Sequence, residues 1–364
     1  MRTDYPLGSG LSGFIRAKAG WLSGRNDSSL VRGWLYHCRF QSRFSLSCQA
    51  EAREELEKIS SLPSLPPALE LEYLFDTCNL ANQFSLWDLM VPALEKLARI
   101  SNDLGYTRGL AQTDYFRAVL LINEGEYRQA IDLYQSAAGH ALSAGDRHLE
   151  AEIYNDLGFC HSRLADSDSA MGYYRRSMAI REQNGDLPGQ AESLNNIGLA
   201  LCRGKDFKQA GDFFNRALEL ESRIGDKIGT GYTLVNLGFL AEELKDFGQG
   251  EKFYLRSLEI RQEIGDVLGL ALCYLRLGHL AHRRRDRDQT LGLLDQSIAS
   301  FRKAEESFGL TEALLFKAQY LLDYGDRAGA GQETELLSRM IDDSSSEAHQ
   351  KRYRQLLDRA KNSG

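Results

Sequence analysis

The sequence lacks any run of apolar residues long enough to cross a membrane, and its cysteines form no close pairs along the chain. A membrane helix needs roughly 18 apolar residues in succession, and no compact apolar segment of the secretory type follows the start. The 6 cysteines include no C-x-x-C spacing, so we expect reduced thiols that pack as small hydrophobic side chains, not a disulfide framework. These absences predict a cytoplasmic chain without membrane insertion.

The sequence also lacks the basic excess that nucleic-acid binding requires. Its 51 Asp and Glu outnumber its 44 Lys and Arg, for a formal net charge of -7, and nucleic acid is therefore a disfavoured partner. Residues 1–49 differ, because they hold seven basic and two acidic residues. Such a stretch is typical of a targeting segment, but Trp34, Leu35 and Tyr36 are equally typical of a first helix, and both interpretations stay open.

Motifs of the common enzyme classes are missing as well. The chain contains no G-x-x-x-x-G-K-[ST], no G-x-S-x-G and no H-E-x-x-H. Neither a phosphate-binding loop, a nucleophile elbow nor a zinc-protease helix is therefore predicted. We expect a protein that is not an enzyme and that holds no cofactor.

The sequence does contain a repeat of constant length. Four glycines fall at positions 158, 198, 238 and 278, a constant step of 40, and a second series with the same step lies at 145, 185, 225 and 265. A period in this range indicates stacked supersecondary units. In the unit that begins at Arg147, the apolar spacing predicts a first helix over about 149–163 and a second helix over about 169–183.

Two repeated columns of residues indicate how such a unit folds. An acidic residue begins each second helix, where exposed amides and the helix dipole favour negative charge. Small and aromatic residues then share one face of that helix, so each hairpin must bury apolar surface against its neighbours. The acidic column, which we interpret as structural, is Glu126, Asp166, Asp206, Asp246, Asp286 and Asp326.

The phase of the repeat predicts the domain organisation. Residues 1–26 are expected to be a flexible lead-in, 27–106 two degenerate helix pairs, 107–346 six units of the constant length, and 347–364 a capping helix and tail. Pro92 fits this scheme only as a kink or as a shifted helix start.

A single pattern of large, small and aromatic residues runs through three successive units. Its first copy is Tyr154, Leu157, Gly158, Ala170, Tyr174 and Ser177, and it returns at the same interval in each of the next two units. This pattern resembles the tetratricopeptide repeat family. The resemblance implies an all-α fold, a right-handed superhelix or α-solenoid of about eight helix-turn-helix units with a capping helix. The usual repeat has about 34 residues, and the longer unit is similar to those of kinesin light chains, mitotic-spindle adaptors and bacterial regulatory proteins.

The resemblance also implies a binding groove. In the family, the first helices line the concave face at positions three and two before the repeated glycine, one after it, and four and five after it. Carried over to this sequence, the candidate contact residues are Asn155, Phe159, Arg163, Asn195, Asn196, Leu199, Arg203, Asn236, Phe239, Arg276 and His279.

The recurrence of asparagine at this face needs a physical reason, because Asn is less favourable than Ala inside a helix. One reason is that the carboxamides hydrogen-bond to the backbone of an extended peptide while Phe159 and Phe239 hold its apolar side chains. The alternative is that the carboxamides bond to adjacent helices within the array.

His279 and His282 form an H-x-x-H pair on one helix face, a spacing that can begin a zinc site. The sequence offers no third ligand nearby. We therefore expect histidines that meet solvent or an acidic partner, and no bound metal.

The function predicted from the resemblance is a non-catalytic scaffold that binds a peptide or protein segment in the concave groove. The alternative is a regulatory or sensor subunit that binds a short peptide and controls an effector in trans. The partner is a protein or peptide of unknown identity, and self-association stays open.

Overall fold

The computed structural model describes residues 67–84, 87–304, 306–341 and 347–362. The predicted lead-in at 1–26, the basic stretch up to residue 49 and the first degenerate helix pair all lie outside the described residues. Every regular element of the described part is an α-helix. The all-α class predicted from the sequence is therefore confirmed.

Fifteen helices follow one another along the described residues, joined by short connections. They are α1 (Pro67–Phe84), α2 (Trp87–Leu104), α3 (Thr107–Glu124), α4 (Tyr127–Ala144), α5 (Arg147–Arg163), α6 (Ser167–Asn184), α7 (Leu187–Arg203), α8 (Phe207–Ile224), α9 (Lys227–Glu243), α10 (Phe247–Ile264), α11 (Val267–Arg283), α12 (Arg287–Lys303), α13 (Ser307–Asp323), α14 (Arg327–Met340) and α15 (Glu347–Asn362). The expected helices at 149–163 and 169–183 are found as α5 and α6, each slightly longer than predicted. Pro92 lies inside α2.

Aspartates cap the helices at regular intervals. The Asp166 carboxylate accepts a hydrogen bond from the backbone N–H of Ser169 over 3.2 Å at the start of α6, and aspartates cap α8, α10, α12 and α14 in the same way. Gly185 ends α6 in the left-handed conformation with φ of 67°, and Asp186 then caps α7. The repeated Gly-Asp pair is therefore a helix connector, since glycine adopts this φ without steric cost.

The described residues form two bodies, of which the smaller, the N-terminal body, comprises residues 67–120 and 132–146. Helices α1 and α2 pack on each other within it. The ring of Phe116 lies 5.7 Å from that of Phe75, and Tyr115 lies 5.7 Å from Tyr134. Aromatic ring pairs thus contribute to a core of this body that is otherwise mostly aliphatic.

The C-terminal body comprises residues 121–131 and the chain from Arg147 onward. Each first helix packs on its own second helix, and each second helix packs on the next first helix, from α5 to α14. The arrangement is an α-solenoid, as the resemblance implied.

A glycine of the first helix faces an aromatic ring of the second helix in each central hairpin. A Cβ at Gly158 would lie 2.6 Å from the Tyr174 ring, and one at Gly238 would lie 2.4 Å from the Tyr254 ring. Both tyrosines are almost fully buried. The repeated glycine therefore permits close packing within a hairpin.

The last helix, α15, begins one full period after α13 and so lies in the phase of a further first helix. Its Leu356 is buried in a core cluster with Leu315 and Leu337. Arg352 bonds to Glu312 over 2.8 Å, and Lys351, like most of the side of α15 that meets solvent, is polar and exposed. This polar outer side fits a helix that caps the array, an assignment that stays a prediction.

Candidate functional site

The predicted contact residues belong to the first helices α5, α7, α9 and α11, and we call the surface to which they contribute the first-helix face. Adjacent first helices contact one another, so equivalent residues come side by side. The Asn196 Nδ2 group donates to Asn155 Oδ1 over 2.8 Å, and Asn236 Nδ2 donates to Asn195 Oδ1 over 3.1 Å. The structure thus brings the four asparagines together in two pairs that bridge successive repeats.

Two of these asparagines are buried and fully engaged within the array. Asn155 is 6% and Asn195 9% exposed. Asn155 Nδ2 donates to Glu192 Oε1 over 3.0 Å, and Asn195 Nδ2 donates to Thr233 Oγ1 over 2.7 Å. The internal-bonding alternative therefore describes Asn155 and Asn195, whose carboxamides position other polar groups.

A buried carboxylate lies at the centre of the Asn195 network. Glu221 is 1% exposed, and its Oε1 accepts hydrogen bonds from Asn195 over 3.1 Å and from Thr233 over 2.7 Å. Burial raises the pKa of Glu221, because desolvation disfavours the charged form. Asn195 is needed here to satisfy a polar group that would otherwise be costly to bury.

The other two asparagines are half-buried and have hydrogen-bonding capacity left. Asn196 and Asn236 each donate one N–H to the preceding repeat. Their Oδ1 atoms accept no hydrogen bond within the part of the chain that the structure describes. Each carboxamide is therefore held in place by its own amide group while its oxygen remains an acceptor for another molecule.

Apolar side chains lie beside these carboxamides. Phe159, Leu199 and Phe239 are all half-buried. Leu199 and Phe239 border the same buried cluster, and the Arg276 guanidinium lies 5.9 Å from the centre of the Phe239 ring. The first-helix face thus presents apolar and hydrogen-bonding groups next to each other.

Two of the candidate contact residues are arginines five positions after the repeated glycine, and we call this pair the rim. Both are exposed and have neutral partners. Arg163 Nε donates to the Tyr127 hydroxyl over 3.1 Å and its guanidinium lies over that ring. Arg203 donates to the Ser162 hydroxyl. Neither guanidinium forms an ion pair with a carboxylate among the described residues, so both retain the capacity to bind an anion.

The two histidines belong to a cluster with tyrosines of α13. His279 Nδ1 lies 2.5 Å from the Tyr320 hydroxyl oxygen, and the His282 ring stacks on the Tyr320 ring at 3.6 Å. Burial lowers the pKa of His279 to about 3, with a smaller contribution from the nearby Arg276 charge. Hydroxyl and ring contacts therefore surround the H-x-x-H pair, and His282 Nε2 also lies 3.4 Å from a carboxylate oxygen of Asp323. His279 is neutral at pH 7.

Neither a metal site nor a membrane helix is found in the described part of the chain. No group of three or more His, Cys, Asp or Glu side chains there has the geometry to hold a metal ion. No helix within the same residues combines the length and the apolar character that spanning a bilayer requires.

Two further residues of this face were not predicted from the sequence. Tyr232 and Glu192 lie four residues before Asn236 and Asn196, and so share their side of the helix. Tyr232 is 45% exposed, with the buried Arg261 guanidinium 4.4 Å from its ring centre. The four-residue spacing from the asparagines was the signal that could have identified both.

A sequence profile of the tetratricopeptide repeat matches residues 109–183, 189–263 and 229–303. Together these ranges cover more than half of the chain. A comparison with curated protein sequences found no match. The particular similarity to kinesin light chains stays a prediction.

Several solved structures resemble this chain over nearly its whole length. A Rap protein complexed with competence and sporulation factor is 16% identical, with a TM-score of 0.62, over 91% of this chain and 94% of that one. The apo form of the quorum sensor NprR from B. thuringiensis is 14% identical, with a TM-score of 0.63, over 91% and 93%. NprR in complex with its cognate peptide NprX is 13% identical, with a TM-score of 0.56, over 96% and 93%. At these identities the similarity concerns the fold.

Proposed function

Because this chain belongs to the tetratricopeptide repeat family, we propose that it is a non-catalytic interaction scaffold that binds an extended segment of a partner protein along the first-helix face. One observation carries this proposal. Asn196 and Asn236 are fixed by bonds to the preceding repeat, and the carboxamide oxygen of each accepts no hydrogen bond from any residue that the structure describes. Ordered acceptors of this kind suit the backbone N–H groups of an extended chain.

The side chains around the two asparagines suggest how a partner segment is held. Its backbone amides donate to Asn196 and Asn236, and its apolar side chains contact Phe159, Leu199 and Phe239, which are half-buried. Since the acceptors are already positioned, little side-chain entropy is lost on binding. Asn155 and Asn195 act indirectly in this scheme, by holding the outer carboxamides in place.

The rim indicates which charge the partner carries. Arg163 and Arg203 bond only to hydroxyl groups and rings among the described residues. A carboxylate of the partner forms a charge-assisted hydrogen bond with either guanidinium without breaking an existing ion pair. We therefore expect acidic residues in the segment that lies beside the rim.

A second candidate function is a regulatory subunit that binds a short peptide and controls an effector in trans. It is favoured by two similar structures, the Rap protein with competence and sporulation factor and NprR with its cognate peptide. The two candidates differ in one measurable property, because the regulator has to change shape when its peptide binds. X-ray scattering of the full chain with and without a captured peptide distinguishes them.

Affinity capture from the native lysate tests the scaffold proposal. The full chain serves as bait in parallel with Asn196→Ala combined with Asn236→Ala, and with Arg163→Glu combined with Arg203→Glu. The matched control combines Lys208→Glu with Lys252→Glu, which makes the same change in net charge at exposed positions of second helices. Thermal unfolding of each bait establishes that it is folded.

We expect a co-purifying protein that is retained by wild type and by the lysine control and is depleted by both first-helix variants. The arginine variant leaves the buried network intact, so it still reports on binding if the asparagine variant is destabilised. Equal recovery with folded first-helix variants and with wild type would show that partners bind elsewhere, and the proposal would be wrong.

A further inference from the structure

A separate concave feature lies between the second helices α6 and α8. It is a cavity of about 180 Å³ whose floor is formed by Leu194 and Ile197 of α7 and whose walls include Met178 and Phe213. None of these residues belongs to the first-helix face. For comparison, an apolar cavity of about 150 Å³ accommodates benzene, so the space suits one large apolar side chain.

One of the residues that border the cavity is small. Ala179 of α6 lines the cavity, whereas the equivalent residues of the next two repeats are Glu219 and Glu259. The same position is also small in α4 and α12, where it is Gly139 and Ala299. The opening between α6 and α8 therefore depends on the residues of its floor and edge as well as on Ala179.

At the equivalent location between α12 and α14, side chains of the array itself occupy the space. Lys317, which occupies the position of Ile197 in that repeat, forms ion pairs with Asp295 over 2.7 Å and with Glu333 over 2.5 Å. Asp295 corresponds to Arg175 at the cavity between α6 and α8. At the cavity between α6 and α8, Ile197 and Arg175 therefore stand in place of the Lys317–Asp295 ion pair.

The charges at the edge of the cavity are mainly positive. Arg175 and Arg216 line it and are both exposed, with Glu182 as the single acidic residue. Arg216 lies 5.2 Å from the centre of the Phe213 ring. Neither arginine forms an ion pair with a carboxylate of any residue that the structure describes. An apolar depression beside two such guanidinium groups matches the composition of interface hot spots.

We propose that this cavity is a docking site for an acidic segment of a partner protein, which inserts one large aliphatic or aromatic side chain beside a carboxylate. The apolar side chain contacts Ile197 and Met178 and displaces water from the floor. The carboxylate receives hydrogen bonds from Arg175 and Arg216, in the bidentate geometry that guanidinium groups favour. This site does not depend on the scaffold proposal, because it uses a different surface of the same body.

Selection of displayed random peptides on the purified full chain tests the proposal. The pool is first depleted on the Ala179→Trp variant, whose indole fills the cavity, and is then enriched on wild type. Ala299→Trp is the matched control, since Ala299 occupies the same position in α12 and is likewise exposed. Arg175→Glu combined with Arg216→Glu gives a second variant, which leaves the cavity open.

The enriched peptides are expected to combine Asp or Glu with a neighbouring large apolar residue. They should bind Ala179→Trp and the double arginine variant at least about tenfold more weakly than wild type, the effect of losing one charge-assisted hydrogen bond or one buried side chain. Affinity for Ala299→Trp should equal that of wild type. Binding to Asn196→Ala combined with Asn236→Ala should also be unchanged, which separates this site from the first-helix face.

Three results would overturn the proposal. The first is a depleted pool that yields no enrichment on wild type. The second is a set of enriched peptides without an excess of acidic residues. The third is a loss of affinity in the asparagine variant but not in Ala179→Trp, which would assign the peptides to the first-helix face.

Discussion

Replacing His279 with Gln is expected to remove a large part of the acid sensitivity of helices α11 and α13. The imidazole contacts Tyr320 and Phe316 of α13, and burial lowers its pKa to about 3 from the ordinary value of 6.5. Between these two pH values the unfolded chain binds a proton that the folded chain does not. Stability contributed by the neutral imidazole is therefore complete above about pH 6.5 and is lost as the pH falls toward 3.

The size of the effect follows from the two pKa values. Between pH 7 and pH 5, protonation of the unfolded chain at position 279 lowers the free energy of unfolding by about 2 kcal/mol. This change in the free energy of unfolding depends little on the pKa of His279 in the folded chain. Any folded pKa below about 4 gives nearly the same result at pH 5, since the folded histidine is then almost entirely neutral.

Amide hydrogen exchange of α11 and α13 at pH 7 and pH 5, corrected for the intrinsic pH dependence of exchange, measures the local free energy of opening. We expect His279→Gln to lose about 2 kcal/mol less than wild type on acidification. Tyr320→Phe is the control, because it removes the hydroxyl partner but keeps the imidazole and hence the pH dependence. Equal losses in wild type and His279→Gln would refute the assignment.

Three further substitutions test the packing and the backbone. Gly238→Ala is expected to destabilise the C-terminal body by about 1–3 kcal/mol, because the new Cβ would lie 2.4 Å from the buried ring of Tyr254. Gly292→Ala should instead stabilise α12 by roughly 0.5–1 kcal/mol, because a Cβ at position 292 meets no atom within 4 Å. Thermal unfolding of the pair measures both, and a Gly238→Ala variant as stable as wild type would contradict the packing argument. Ala165→Gly is expected to change stability by less than about 1 kcal/mol in urea titration, since relief of its φ of 62° opposes the added freedom of the unfolded chain.

The helical framework could be predicted from the sequence because the determinants of each hairpin lie within one period. The glycine at 185 and the aspartate at 186 are adjacent in the chain, and they end one helix and cap the next. The small residue at 158 and the ring at 174 lie on the two helices of one hairpin, and their contact recurs in the central copies. The spacing of residues within one repeat is therefore enough to predict the helices and how they pair in a hairpin.

The roles of the asparagines could not be predicted in the same way. Asn195 and Asn196 are neighbours in the sequence, yet the first is buried against Glu221 and Thr233 while the second reaches the preceding repeat. Which of two adjacent residues is buried depends on the rotation of one first helix against the next, and composition does not determine that rotation. The cavity beside Ala179 was missed for a related reason, since it forms between helices of two successive repeats.

Contacts between repeats also make the first-helix face a connected surface. The bonds Asn155–Asn196, Ser162–Arg203 and His279–Tyr320 each join residues separated by 41 positions. Asn196 reaches Asn155, Asn155 reaches Glu192, and Glu192 in turn bonds to the guanidinium of Arg181, which is 3% exposed. A partner that donates a hydrogen bond to Asn196 Oδ1, as we propose, would therefore act on a chain of hydrogen bonds that ends at the buried guanidinium of Arg181. Because the members of such a network support one another, the effects of substitutions along it should not be additive. For the same reason, we expect that binding at one repeat changes the binding affinity of the next repeat.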